Sequence, residues 1–246
     1  MSGIKPEAAA TLLLVRDSDL GLEVFMVQRP SRGAFPGLHV FTGGKVDLQD
    51  AELVRRIPFN GVTERQAQQG LASPLALHYY LAAIRECFEE AGVLLASTDQ
   101  GLVGADLAQQ LQLLRDGEFS GVCAELGVSL EFGELHYFSH WITPDIAPRR
   151  FDTRFFVARM PAGQFAVHAE GETVGGEWVE PKRALARGES GEWALIMPTI
   201  VSLQSVANYS STQELFKAVR GGKHLPPYSE ALRVEGMQPF ARAVQQ

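Results

Sequence analysis

The stretch Arg85-Glu86-Cys87-Phe88-Glu89-Glu90-Ala91-Gly92-Val93 limits what this chain can become more than any other segment. It closes a run of good helix formers that Ser73 is suited to cap, Pro74 to open and Gly92 to end in a left-handed conformation. The spacing therefore predicts a helix from Ser73 to Ala91. Stepping about 100° per residue from Ile84 brings Cys87, Phe88 and Ala91 onto one apolar stripe, with Arg85, Glu86, Glu89 and Glu90 on the opposite side. Carboxylates three and four residues apart repel by roughly 0.2–0.5 kcal/mol per pair unless a cation lies between them. Three hard oxygen donors converging from one rigid helix suit Mg²⁺ or Mn²⁺. Taken alone, such a string also reads as a solvated acidic face.

The rest of the chain supplies enough material for one α/β domain around that helix. Its 246 residues are 46% hydrophobic and 21% charged, which excludes a disordered tail or a fibre. Ala8–Arg16 and Glu23–Arg29 read as paired strands joined by the polar turn Asp17–Gly21, and a third extended piece holds His39–Phe41. Glu52–Ala72, with Pro58 and Asn60-Gly61, shows no strong period and reads as an excursion from the core. Further on, 106–115 and 120–126 have helical spacing, 135–142 and 153–159 read as strands, and Trp178-Val179 closes another strand before a loop at Pro181. Helices are expected over 199–207 and 212–220, the latter with Ser211 and Glu214 spaced as a capping box and Gly221 as its stop.

Composition narrows the partners. A net charge of -7 offers no uniform positive field for nucleic acid or an anionic membrane, so an anionic ligand must be held by a local cluster or a metal. The apolar run Ala8–Val15 is too short to span a bilayer. Two cysteines, Cys87 and Cys123, are too few to staple a secreted chain of this length and read as free thiols of a cytoplasmic protein. Neither a Gly-x-Ser-x-Gly elbow nor a Gly-x-x-x-x-Gly-Lys loop is present, which removes the main support for serine-hydrolase and P-loop readings.

The string Arg85–Val93 resembles the second half of the Nudix box, Arg-Glu-U-x-Glu-Glu-x-Gly-U, where U is apolar. Phe41-Thr42-Gly43-Gly44 resembles the loop that opens that box. Thr42 stands where the family usually has Pro, and Asp50 stands where it has Glu. Residues 51–84 separate Asp50 from Arg85, so the box is split by an insertion at about 51–77; a branch of the family that hydrolyses coenzyme A carries a long insertion at the same place. His140–Pro144, Arg149–Phe156 and Pro198-Thr199 also look like that branch, and coverage runs over about residues 8–207. The resemblance implies a single Nudix domain over 1–246, an α/β/α sandwich with a mixed central sheet and a helical C-terminal extension at about 199–246. It implies Mg²⁺- or Mn²⁺-dependent hydrolysis of the diphosphate linkage of a nucleoside diphosphate derivative, with coenzyme A or acyl-CoA leading. ADP-ribose, NADH or another nucleotide conjugate is the alternative substrate, and a non-catalytic nucleotide-sensing domain the alternative role. The family also allows a homodimer.

Carried over residue by residue, the resemblance makes Glu86, Glu89, Glu90 and the Gly44 carbonyl metal ligands, with Arg85 orienting the carboxylates. The box leaves the general base open. Glu172 is favoured, in the acidic loop six residues before Trp178, with Glu170 and Glu177 behind it and Glu89 also in view. Arg29, Arg32, Lys45, Arg149, Arg150 and Arg154 are candidate phosphate cations, Arg offering a planar fork. Phe35, Phe41, Tyr137 and Trp141 are candidate faces for a base.

Overall fold

One long strand organises the chain because it pairs on both sides. The computed structural model describes residues 4–31 and 36–224, and in it β1 (Glu7–Ser18) pairs antiparallel with β2 (Gly21–Gln28) through a tight turn. Ser18 stabilises that turn by accepting from Leu20 N at 3.1 Å, and Gly21 supplies the positive φ that the reversal needs. After β3 (His39–Val40), β4 (Thr42–Lys45) returns to the first half of β1, pairing Ala9 with Lys45 and Thr11 with Gly43. Arg32 and Phe35 lie outside the described residues.

Between β4 and the acidic helix comes the insertion, and the expectation of an excursion from the core is corrected here. It forms α1 (Asp50–Arg56), β5 (Phe59–Asn60) and α2 (Glu64–Leu71). Thr63 and Gln66 make a full capping box on α2, a signal already legible in the sequence. Leu53, Ile57, Ala67 and Leu71 are all buried in the same cluster as the acidic helix. That helix, α3 (Ala76–Ala91), starts later than expected. Leu75 is its N-cap, because Ser73 spends its hydroxyl on Leu75 N in a tight turn, while Gly92 closes the helix in the left-handed conformation as expected.

The chain then adds β6 (Ala96–Thr98), β7 (Gly101–Leu102), α4 (Ala108–Leu114), α5 (Phe119–Leu126) and β8 (Ser129–Glu131), and returns to the main sheet with β9 (His136–Ile142) and β10 (Phe151–Arg159). β11 (Gly175–Val179) pairs with β2. Pro181, expected in a loop, opens α6 (Pro181–Glu189) instead, at the position where its missing N–H costs nothing. α7 (Met197–Val206) and α8 (Thr212–Arg220) follow. Ser211 caps α8 by accepting from Glu214 N, but Glu214 reaches Ser210 rather than Ser211, so only half of the expected box forms.

The result is a seven-stranded sheet of path order β11-β2-β1-β10-β9, with β3 on β2 and β4 on β1; β1 and β10 run parallel and the other pairs are antiparallel. A four-stranded sheet, β5-β8-β6-β7, sits beside the insertion. Ala10, Leu12 and Leu14 of β1 face the core with α1 to α5, whereas Leu13 and Val15 face a second core with α6, α7 and α8. Period-two alternation along one strand thus builds both faces of an α/β/α sandwich. Both cysteines are buried free thiols, and no helix among the described residues is long and apolar enough to cross a membrane.

Because the insertion shares the core, Leu71→Ala should lower unfolding free energy by about 2–5 kcal/mol in urea denaturation. Leu48→Ala, at a side chain 98% exposed in the same half of the box, should stay within about 0.5 kcal/mol of wild type.

Candidate active site

Arg85 binds the two halves of the split motif together. Its Nε donates to Asp50 Oδ1 at 3.1 Å, its Nη2 to the Lys45 carbonyl at 2.9 Å, and its Nη1 to both Glu86 Oε1 and Glu89 Oε2 at 2.8 Å. Asp50 is fully buried, and its other oxygen accepts from Asp47 N at 2.7 Å. The shorter acid therefore still reaches Arg85, since α1 brings its Cα close. Burial alone would disfavour the guanidinium's charge, but Glu86, Asp50 and Glu89 around it hold Arg85 protonated far above its ordinary range.

The glycines of β4 let the helix carboxylates come against the strand. A Cβ at Gly44 would overlap the Glu86 carboxylate, and Gly43 N donates to Glu90 Oε2 at 2.9 Å. Arg29 Nη2 donates to the Gly43 carbonyl at 2.5 Å and lies 3.6 Å from Glu90 Oε1. Glu172 completes the group on a loop fastened to the end of α3. Ala169 N donates to the Glu90 carbonyl, Val167 N to the Ala91 carbonyl, and Arg115 holds the Val167 carbonyl at 2.5 Å.

These carboxylates outnumber the cations near them. Burial, resisted by Arg29 and reinforced by Glu86, pushes Glu90 up to about 8; burial, resisted by Arg85, pushes Glu89 up to about 7. Glu86 is raised too, by burial against the pull of Arg85, and Glu172 adds to the negative field at all three. Among the described residues, no three His, Cys, Asp or Glu side chains are gathered as a metal-ligand set, because Arg85 draws Glu86 and Glu89 while Gly43 draws Glu90. The donor chemistry nevertheless fits a hard divalent cation: several carboxylates short of positive charge, with Glu86 pressed against the Gly44 backbone.

A cavity of about 590 Å³ adjoins the cluster and is lined by Arg29, Gly44, Lys45, Glu86, Glu89, Glu90 and Glu172. Of the other candidate cations, Arg150 is tied to Asp145 and to the carbonyls of Thr143 and Ile4, and Arg154 to Asp152 and the Tyr79 ring. Arg150 and Arg154 are thus held in ion pairs, Arg149 is exposed, and none of the three lines the cavity. Glu177 pairs with Arg187, and neither it nor Glu170 lines the cavity. Phe41 and Trp141 do line it, whereas Tyr137 packs against Phe156. Sequence reasoning did not foresee the apolar wall of Ile142, Pro144, Phe151, Ile196 and Met197, which comes from segments far apart in the chain.

Residues 51–205 match the family described as "NUDT19 Nudix domain". The chain is 28% identical to the acyl-coenzyme A diphosphatase NUDT19 of Homo sapiens, over 82% of this chain and 64% of that protein. It is 28% identical to the Gallus gallus protein of the same name, over 79% of this chain and 64% of that one. The chain thus spans a little under two thirds of the length of these curated relatives. A crystal structure of a NUDIX hydrolase from Alicyclobacillus acidocaldarius superimposes with a TM-score of 0.67 at 26% identity, covering 89% of this chain and 97% of that one.

Carboxylates raised by burial favour the folded state while protonated, and that advantage fades as pH climbs from their ordinary value near 4.5 through about 8. Chelator-treated protein should therefore melt at a lower temperature at pH 8 than at pH 6, and Glu90→Gln should flatten the slope. Thermal scans across that range provide the check.

Proposed function

This chain belongs to the NUDT19 Nudix domain family, and from that premise we propose that it is a metal-dependent hydrolase of the diphosphate linkage in nucleoside diphosphate derivatives, with coenzyme A or an acyl-CoA as its substrate. The observation that carries this reading is the joining of the split box by Arg85, which brings Asp50, Glu86, Glu89 and the β4 loop into one charged cluster at the cavity. The names of the human and chicken relatives support the substrate.

A diphosphate resists water because its own negative oxygens repel the nucleophile. Glu86, Glu89, Glu90 and the Gly44 carbonyl would hold a divalent ion, which would supply the missing positive charge and lower the pKa of a bound water. The remaining work falls to side chains. Arg29, at the junction of Gly43 and Glu90, offers its fork to the phosphate oxygens. Arg85 keeps the carboxylates from turning away. Glu172, exposed on its loop at the cavity, takes the proton of the attacking water at a carboxylate oxygen. The water oxygen bonds to phosphorus, the bridging P–O bond breaks with its electron pair on the leaving oxygen, and two phosphate monoesters result.

A turnover panel with Mg²⁺ and Mn²⁺ tests this, offering coenzyme A, acetyl-CoA, ADP-ribose, NADH and nucleoside triphosphates in ¹⁸O water. The expected result is metal-dependent release of adenosine 3',5'-bisphosphate from the coenzyme A substrates. Glu90→Gln should abolish it, and Glu172→Gln should lower kcat by at least about 100-fold. Glu170→Gln, at a side chain outside the cavity, should stay close to wild type. Full activity in Glu90→Gln would contradict the assignment.

A further inference from the structure

The cavity has two chemically different ends. The strand register aligns Lys45 of β4, Ala9 of β1, Thr153 of β10 and Trp141 of β9 in one row across the sheet, and Gly43, Thr11 and Phe155 in the next. Directly paired residues share a face, and adjacent strands are about 4.8 Å apart, so the row from β4 to β9 spans roughly 14 Å. All seven of these residues line the cavity. Ala9 and Thr11 are small and leave the middle of the row open.

Every charged residue lining the cavity belongs to the end formed by β2, β4, α3 and the Glu172 loop. At the β9 end the lining is Trp141, Ile142, Pro144 and Phe151, whereas Ile196 and Met197 follow Ala194, which pairs with Leu38 and His39 beside β3. None of these four is fully buried, and Ile142 is 42% exposed, so their apolar surface is available. Trp141 spends its only polar hydrogen on Ser139 Oγ at 3.0 Å and offers hydrocarbon to the cavity. Arg150 and Arg154 are committed to Asp145 and Asp152, and the exposed Arg149 does not line the cavity. A phosphate carried to the β9 end would therefore meet no cation among the cavity-lining residues.

We infer that the β9 end selects the non-nucleotide half of the substrate. Trp141, Ile142 and Phe151 receive the apolar far end of the uncharged arm attached to the diphosphate, while the phosphate-bearing nucleotide lies toward Arg29. This rests on the diphosphatase reading and adds to it an orientation and a set of specificity-determining residues. Burying one methylene strengthens binding about fourfold, so a wall of this kind makes chain length count.

The test uses the full chain with coenzyme A and its butanoyl, octanoyl and dodecanoyl thioesters, which share one nucleotide and differ only in the chain. Wild type should raise kcat/KM at least tenfold from coenzyme A to the octanoyl thioester, mainly through KM. Ile142→Asp should pull that ratio toward one, and Ile142→Leu should restore it. Calorimetric titration of the same four ligands with metal chelated reads the wall without turnover and should show the same order. Metal-dependent turnover with no chain-length dependence would overturn this inference while leaving the diphosphatase reading intact. No turnover of any thioester, with chain-length-dependent binding retained, would overturn the diphosphatase reading and not the wall. Equal affinities for all four ligands would overturn the wall in either case.

Discussion

A buried guanidinium shared among three carboxylates and a strand carbonyl is the interaction on which the rest of the site depends. Arg85 is 7% exposed and sits between Asp50, at the start of the inserted segment, and Glu86 and Glu89 on its own helix. Removing one partner from a buried pair of this kind costs about 3–5 kcal/mol, because the remaining charge is stranded away from water. The pairing also explains how a motif interrupted by residues 51–84 still closes. α1 carries Asp50 to Arg85, and the insertion's apolar residues pack into the core beside α3. An insertion that contributes its own core can be long without loosening the residues at its ends.

Charge imbalance gives the cluster its chemical character. Arg29 and Arg85 do not offset Glu86, Glu89, Glu90, Asp50 and Glu172, and burial raises the helix carboxylates above their ordinary range. On the proposed reading, a bound divalent cation would offset that excess of negative charge. The apolar reach of the cavity toward β9 works the opposite way. It excludes charge and favours hydrocarbon, so a ligand spanning both ends must be polar at one and apolar at the other.

Much of this was legible in the sequence, and the parts that were not have physical reasons. The stripe Ile84, Cys87, Phe88 and Ala91 and the stop at Gly92 are set by local spacing, and α3 follows them. The capping box of Thr63 and Gln66 was equally local, but Pro58 and Asn60-Gly61 beside it look like loop punctuation and hid two short helices. Pro181 carried the same ambiguity between breaking a helix and opening one. The positive charge of Arg150 and Arg154 was plain, but their direction depends on Asp145 and Asp152, which no periodicity announces. The apolar wall was beyond local reading because Ile142 and Phe151 come together only through the register of β9 against β10.

The central claim is that Arg85 and the β4 glycines hold Glu86 and Glu90 ready for a divalent ion. Anomalous diffraction at the manganese edge, from crystals of the full chain soaked in Mn²⁺, addresses it most directly. The account predicts a peak against Glu86, Glu90 and the Gly44 carbonyl. A manganese peak confined to other parts of the surface, with Glu86 and Glu89 still on Arg85 and Glu90 still on Gly43, would contradict it.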